Sequence, residues 1–218
     1  MTEPAPSLRA LFLIDGFNLY HSMEALLKEY PDKKIKWLDL NALARNLHHL
    51  IAPDIKDSRV IYFTTLATHL HLSNPGKIAR HNAYIRALTA SRIEVVQGRF
   101  QPKDVWAAEL QHYVQVHEEK ETDVAIASRL LQAGFCDEAD VVVIVTADTD
   151  LKPAVETFKK LNPGKQVLFA FPWKRKNQIL AQLASTSFSL GPEHYERSQF
   201  PSAVRLPSGK FVHKPEEW

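Results

Sequence analysis

Five short apolar runs punctuate the chain: ALFLID at 10–15, RVIYFTTL at 59–66, IEVVQ at 93–97, VVVIVT at 141–146 and QVLFAF at 166–171. The first, second and fourth are almost continuous in apolar residues, which is how strands covered on both faces of a parallel sheet read. Segments with helical spacing lie between or after them, at 17–30, 38–50, 75–90, 122–133, 150–161 and 175–184. In the second of these, Leu38, Leu40, Leu43, Leu47 and Leu50 recur at mostly three- and four-residue steps and draw one apolar stripe. Runs and stripes that alternate in this way predict an α/β sandwich, with a mostly parallel central sheet of about five strands and helices on both faces.

Two segments depart from the alternation. Residues 98–120 scatter apolar side chains among polar and charged ones and predict a hairpin or an excursion beside the main sheet. Beyond about 185, Pro192, Pro201, Pro207 and Pro215 interrupt regular elements. The expected organisation is therefore a domain over 1–185 and a C-terminal arm over 186–218. Phe188, Tyr195, Phe200, Phe211 and Trp218 are the side chains expected to anchor that arm on the domain.

Composition narrows the class without naming it. Of 218 residues, 45% are hydrophobic and 24% charged, with a formal net charge of +2, which suits a globular domain and neither requires nor forbids a polyanionic partner. One cysteine, Cys136, excludes an internal disulfide and a multi-thiolate zinc site. No apolar run reaches the ~18 residues that a membrane-spanning helix needs. MTEPAPSLRA lacks the basic start and apolar block of a signal peptide, so a cytoplasmic protein with no membrane partner is expected.

The chemistry sits where two of the apolar runs end. LFLIDGFNLY delivers Asp15 at the end of the first predicted strand, and VVVIVTADTD delivers Asp148 just past the end of the fourth. In open parallel sheets, ligands bind outside the carboxyl ends of the strands where chain order reverses. Asp123 opens a predicted helix and shares its face with Ala127 and Leu130, so it too faces the domain. Three acids gathered at one edge repel one another unless a cation neutralises them, and an oxygen-only donor set suits Mg²⁺ or Mn²⁺. Each acid also has a plainer reading. Asp15-Gly16 fits a turn with Asn18 as a helix cap, Asp123 suits a helix dipole, and Asp150 suits the cap of LKPAVETF with Pro153 in the first turn.

Other chemistries lack their residues. The seven glycines are dispersed, so neither a dinucleotide fingerprint nor a P-loop is present. A strand-end aspartate nucleophile of the phosphatase kind has a second acid two residues on, where this chain has Phe17. No serine occupies a nucleophile elbow. His69 and His71, like His112 and His117, read as ordinary loop or surface histidines before they read as metal ligands.

LFLIDGFNLYHS, EEKETDVAIASRLL and VVVIVTADTDLKPAVE together resemble the NYN domain family of PIN-like metal-dependent nucleases, and the tail LPSGKFVHKPEEW resembles the endings of bacterial members. The resemblance spans nearly the whole chain. It implies a PIN-like three-layer sandwich whose edge acids hold Mg²⁺ or Mn²⁺ and cleave RNA. Carried onto this sequence, Asp15, Asp123 and Asp148 match the metal-holding acids. Asn18 matches the asparagine after the first acid, and Asp150 the second acid of the D-x-D step. Where many members carry a further acid on the middle helix, this chain has Arg129, about 240° around the helix from Asp123.

The function expected on these grounds is a metal-dependent endoribonuclease acting on single-stranded RNA, with pairing into a homodimer implied by resemblance alone. Lys174, Arg175 and Lys176, which follow the fifth strand, and Lys120 are the expected substrate-binding cations, with Arg99 and Lys103 as further candidates. Trp106, Tyr113 and Trp173 are candidate stacking platforms for bases. A catalytically weakened RNA-binding adaptor, suggested by Arg129, and a small-molecule phosphoesterase using the same acids remain as alternatives.

Overall fold

The computed structural model describes residues 7–218, the side chain of Lys56 aside. MTEPAP, which opens both the expected 1–185 domain and the stretch read for a signal peptide, lies outside the described residues. Every apolar run becomes a strand: β1 (Leu8–Asp15), β2 (Ile55–Thr64), β3 (Glu94–Gln97), β6 (Val141–Val145) and β7 (Gln166–Phe171). The amphipathic segments become α1 (Gly16–Glu29), α2 (Leu40–Ile51), α3 (Pro75–Ala90), α4 (Thr122–Phe135), α5 (Lys152–Leu161) and α6 (Gln178–Leu183). The last starts later than 175–184 suggests, because Asn177 caps it by accepting hydrogen bonds from the Ile179 and Leu180 amides.

A sixth strand, β8 (Thr186–Ser189), completes a sheet ordered β3-β2-β1-β6-β7-β8, and every neighbouring pair is parallel. The strand count thus exceeds the expected five. TSFS carries one apolar residue in four, and an edge strand of that length has no pattern to read. The expected boundary at 185 falls one residue before β8, so the sheet itself continues beyond it. Past β8 the chain forms α7 (Pro192–Glu196) and an antiparallel ribbon of β9 (Ala203–Arg205) and β10 (Phe211–His213).

Alternation along the strands divides the core into two layers. Phe12, Ile14, Val143, Val145 and Leu168 face α1, α2, α3 and the C-terminal arm. Leu11, Leu13, Val142, Ile144 and Phe169 face α4, α5 and α6. Both faces are therefore dry, which is why the central strands read as unbroken apolar runs. The arm packs on the first layer through Phe188, Tyr195, Phe200, Val204, Val212 and Trp218, and the rings of Phe200 and Trp218 both meet Trp37. Phe211 departs from its expected anchoring role. It is 54% exposed because its neighbour Val212 takes the inward position on a three-residue strand.

Residues 98–120 form a separate antiparallel hairpin of β4 (Arg99–Ala107) and β5 (His112–Lys120) that is not part of the sheet. It leaves directly after β3 and returns into α4 through Glu121, whose φ of 80° lies in the left-handed region rarely used by non-glycine residues. No helix is long and apolar enough to cross a membrane among the described residues.

Gly16, the first residue of α1, touches the end of β2 so closely that an added Cβ would lie 2.5 Å from the Phe63 carbonyl oxygen and 2.6 Å from the Tyr62 ring. Both neighbours are buried, so neither can retreat cheaply. Gly16→Ala is expected to cost about 1–3 kcal/mol by overpacking. An unchanged urea midpoint would contradict this packing account.

Candidate functional site at the carboxyl edge of the sheet

Strand order reverses between β1 and β6, and the carboxyl ends of these two strands deliver the first acids. Asp15 is the last residue of β1 and only 2% exposed. Its carboxylate accepts from the Asn18 amide at 3.0 Å, from Asn18 Nδ2 at 2.7 Å and from the Thr146 hydroxyl at 2.8 Å. The turn reading and the acid reading thus coincide in one residue. Asp15, rather than Asn18, caps α1, while Asn18 turns its amide back onto the carboxylate. Buried and triply hydrogen-bonded, this carboxylate has a single orientation.

Asp148 repeats the arrangement beyond β6. Its side chain accepts from the Asp150 amide at 3.0 Å and caps a 3₁₀ turn over Thr149–Leu151 that runs into α5. Thr146 couples the two acids: its hydroxyl donates to Asp15 and accepts from the Asp148 amide at 3.1 Å. Asp150 lies within the 3₁₀ turn and is exposed, so Asp148 takes the capping role that sequence assigned to it. Asp123 is half-buried in the first turn of α4. Its carboxyl is pushed up to about 6, first by burial and then by the charges of Asp148 and Asp15, with Glu119 and Asp150 adding to the effect. The three acids expected to hold a metal therefore lie at one edge, near enough for the charges of Asp148 and Asp15 to act on Asp123.

The electrostatics of the two edges differ sharply. At the amino edge Asp137, Glu138 and Asp140 all have cations: Asp140 is held down to about 2, chiefly by its hydrogen bonds from Arg9, Asp137 pairs with Arg9 and Lys165, and Glu138 pairs with Arg59 and Arg129. At the carboxyl edge no lysine or arginine among the described residues pairs with Asp15, Asp123, Asp148 or Asp150 within 4.0 Å. The positive ends of α1, α4 and the 3₁₀ turn before α5 offset part of this negative charge.

Arg129 points away from this edge. It is 8% exposed and binds Glu138, at 2.5 Å and 3.2 Å, in the loop before β6. Its position on α4 thus serves packing at the far end of the sheet.

The expected substrate cations are distributed unevenly. Arg175 reaches the site, donating through Nη1 to Asn18 Oδ1 at 3.1 Å, so Asn18 is held from both sides. Lys174 turns to Glu29 at 2.7 Å, Lys120 pairs with Glu118 at 2.8 Å, and Lys176 is exposed. Trp173 is partly buried against the core and is not an open platform. His71 is exposed, and His112 contacts the Leu110 carbonyl oxygen through Nδ1 at 2.9 Å.

Several contributors escaped the sequence. Glu119 accepts from the Thr65 hydroxyl at 2.7 Å and from Thr122 at 2.6 Å, which seats the end of β5 beside Asp123. Its signal was the acidic run HEEKETD. Thr146 was visible only as a polar ending to an apolar strand. His21 lies close enough for Arg175 and Lys77 to hold its ring below its usual range, after burial as the first cause.

No group of three or more His, Cys, Asp or Glu side chains encloses a metal position by itself among the described residues. The donor chemistry nevertheless fits a hydrated hard cation, since Mg²⁺ commonly takes one or two carboxylates and completes its shell with water. What the edge provides is uncompensated oxygen charge with one carboxylate, Asp15, rigidly aimed.

The six-stranded parallel sandwich, with acids at its strand-order reversal, is consistent with a PIN-like α/β fold. The chain belongs to the NYN domain family, whose model matches residues 9–191. A crystal structure of a protein of unknown function from Vibrio parahaemolyticus shares the fold, with a TM-score of 0.57 at 14% identity over 88% of this chain and 98% of that one. No curated protein matches the sequence.

The raised Asp123 carboxyl has a stability consequence. Folded, it keeps its proton up to about pH 6, whereas the unfolded chain releases it near pH 4. Across that window the folded state holds more protons, so the stability of the metal-free protein falls as pH rises and stays lowered above it. Asp123→Asn is therefore expected to melt higher than the parent in EDTA at about pH 7.5, with the gap closing below about pH 4. A variant that melts lower at neutral pH would contradict the shared field.

Proposed function

We propose that the carboxyl edge is the hydrolytic centre of a metal-dependent endoribonuclease. The observation that carries this reading is the group of acids without cationic partners among the described residues, in which Asp123 is pushed up to about 6 by burial and then by the charges of its neighbours. Asp15, Asp123 and Asp148 would hold Mg²⁺ or Mn²⁺, directly or through water, with Asp150 at the margin. A divalent cation bound there supplies a Lewis acid for a phosphoryl oxygen and acidifies a bound water.

The chain's own groups divide the remaining work. Asp15 presents a fixed charge, because Asn18 and Thr146 prevent its rotation. Asp123, in the first turn of α4 beside the other acids, would orient the attacking water. Asn18 is itself held by Arg175, whose remaining N–H groups stay available to a phosphate oxygen of the substrate. RNA is the substrate that NYN membership suggests.

The alternative of a catalytically weakened adaptor rested on Arg129, and that residue is engaged with Glu138 at the opposite edge. The phosphoesterase alternative has no specific support from the site.

Incubation of labelled single-stranded RNA with the protein and Mn²⁺ tests the proposal. Cleavage is expected from the parent, and a loss of about 100-fold or more from Asp15→Asn and from Asp148→Asn. EDTA should abolish the reaction and excess Mn²⁺ restore it. Equal cleavage by parent and variants, or turnover of small phosphomonoesters alone, would refute it.

A further inference from the structure

The hairpin of β4 and β5 is unexplained by the fold. No side chain between 99 and 120 belongs to either core layer. A two-stranded ribbon is marginal by itself in water, yet this one exposes large apolar groups, including Trp106 at 47%, Leu110 at 59% and Tyr113 at 67%.

Its register sorts the side chains. Opposed residues share a face, so Phe100 and Glu119, Pro102 and His117, and Trp106 and Tyr113 line one side. Glu119 bonds Thr65 and Thr122 at the acid edge, which makes this the side that continues into the site. The valines Val105, Val114 and Val116 occupy the other side. Along the first side run aromatic rings. His117 stacks on His69 with centroids 4.0 Å apart and planes 6° from parallel, and Phe100 meets His69 at 4.7 Å. Further out, Trp106 and Tyr113 pair edge-to-face at 5.2 Å. From Glu119 to Tyr113 the strand rises about 20 Å, a span of a few nucleotides.

We infer that this aromatic face holds the single-stranded RNA leading away from the acid edge, with bases stacked on Trp106 and Tyr113. The inference rests on the ribonuclease reading and adds to it a binding arm outside the reacting centre. Stacking on exposed rings is sequence-tolerant and strong per base, which suits a guide rather than a reader. Lys77 lies near His69 at the inner end of this face. Asp104 and Gln115 sit between the inner and outer rings, while Arg99, Lys103 and Lys120 project from the opposite face, paired with Glu118 and Glu121. Continuity of the rings with the acid edge favours a strand that enters the site over a second copy of the chain.

The test measures binding of a fluorescent oligouridylate of about twelve residues in EDTA, where cleavage plays no part. Trp106→Ala/Tyr113→Ala is compared with Trp106→Phe/Tyr113→Phe, which keeps two rings, and light scattering gives the mass of each. The inference predicts at least ~10-fold weaker binding for the alanine pair and binding within about 3-fold of the parent for the phenylalanine pair. Parent-like affinity in the alanine pair overturns it, as does equal weakening in both pairs. A dimeric parent that becomes monomeric in the alanine pair while RNA affinity holds assigns the face to a second copy and also overturns it. Ring-dependent binding without cleavage upholds the arm and counts against the hydrolytic reading alone, whereas cleavage with ring-independent binding does the reverse.

Discussion

Four aspartates at the carboxyl edge of the sheet, without one lysine or arginine in pairing distance among the described residues, are the constraint on which the structure turns. Like charges in a half-buried setting destabilise one another, and the protein tolerates them through backbone amides, side-chain donors and helix ends. Asn18 and Thr146 fix Asp15, the Asp150 amide fixes Asp148, and α1, α4 and the turn into α5 direct their amino ends at the cluster. Helix ends and donors stabilise charge without cancelling it. The edge therefore keeps an attraction for an external cation that paired arginines would have removed.

The amino edge shows that this pattern is selective. There the same sheet pairs Asp137, Glu138 and Asp140 with Arg9, Arg59, Arg129 and Lys165. One edge is closed by ion pairs and one is left open, and the open edge is where strand order reverses. Topology positions the acids, and the absence of partners makes them chemically available. The hairpin adds a second departure from compactness at the same edge, since its ring-bearing face is tied to the acids through Glu119.

Much of this was legible in the sequence because burial on both faces writes itself as unbroken apolar runs. Asp15, Asp123 and Asp148 stood out because an acid at the end of such a run, or on the inward face of a helix, contradicts its surroundings. What stayed hidden was carried by weaker patterns. β8 is four residues with one apolar side chain, so nothing separated TSFS from a loop. Arg129 is read as a departure from the family at the site, but the 3.6-residue turn of α4 and the position of Glu138 send it to the opposite edge. Lys174 and Lys120 are expected as substrate cations from their positions in the chain, and each pairs with a nearby carboxylate, Glu29 and Glu118. Charge runs do not reveal their partners, whereas hydrophobic periodicity reveals its face.

The shared field of the acids can be read most directly at Asp123. Carboxyl-carbon NMR across a pH titration, first in EDTA and then with Mg²⁺, follows that one group. The account predicts a midpoint near 6 without metal, because burial and the charges of Asp148 and Asp15 hold the proton on, and a marked fall when Mg²⁺ replaces it. A midpoint at the ordinary aspartate value, indifferent to Mg²⁺, would contradict it.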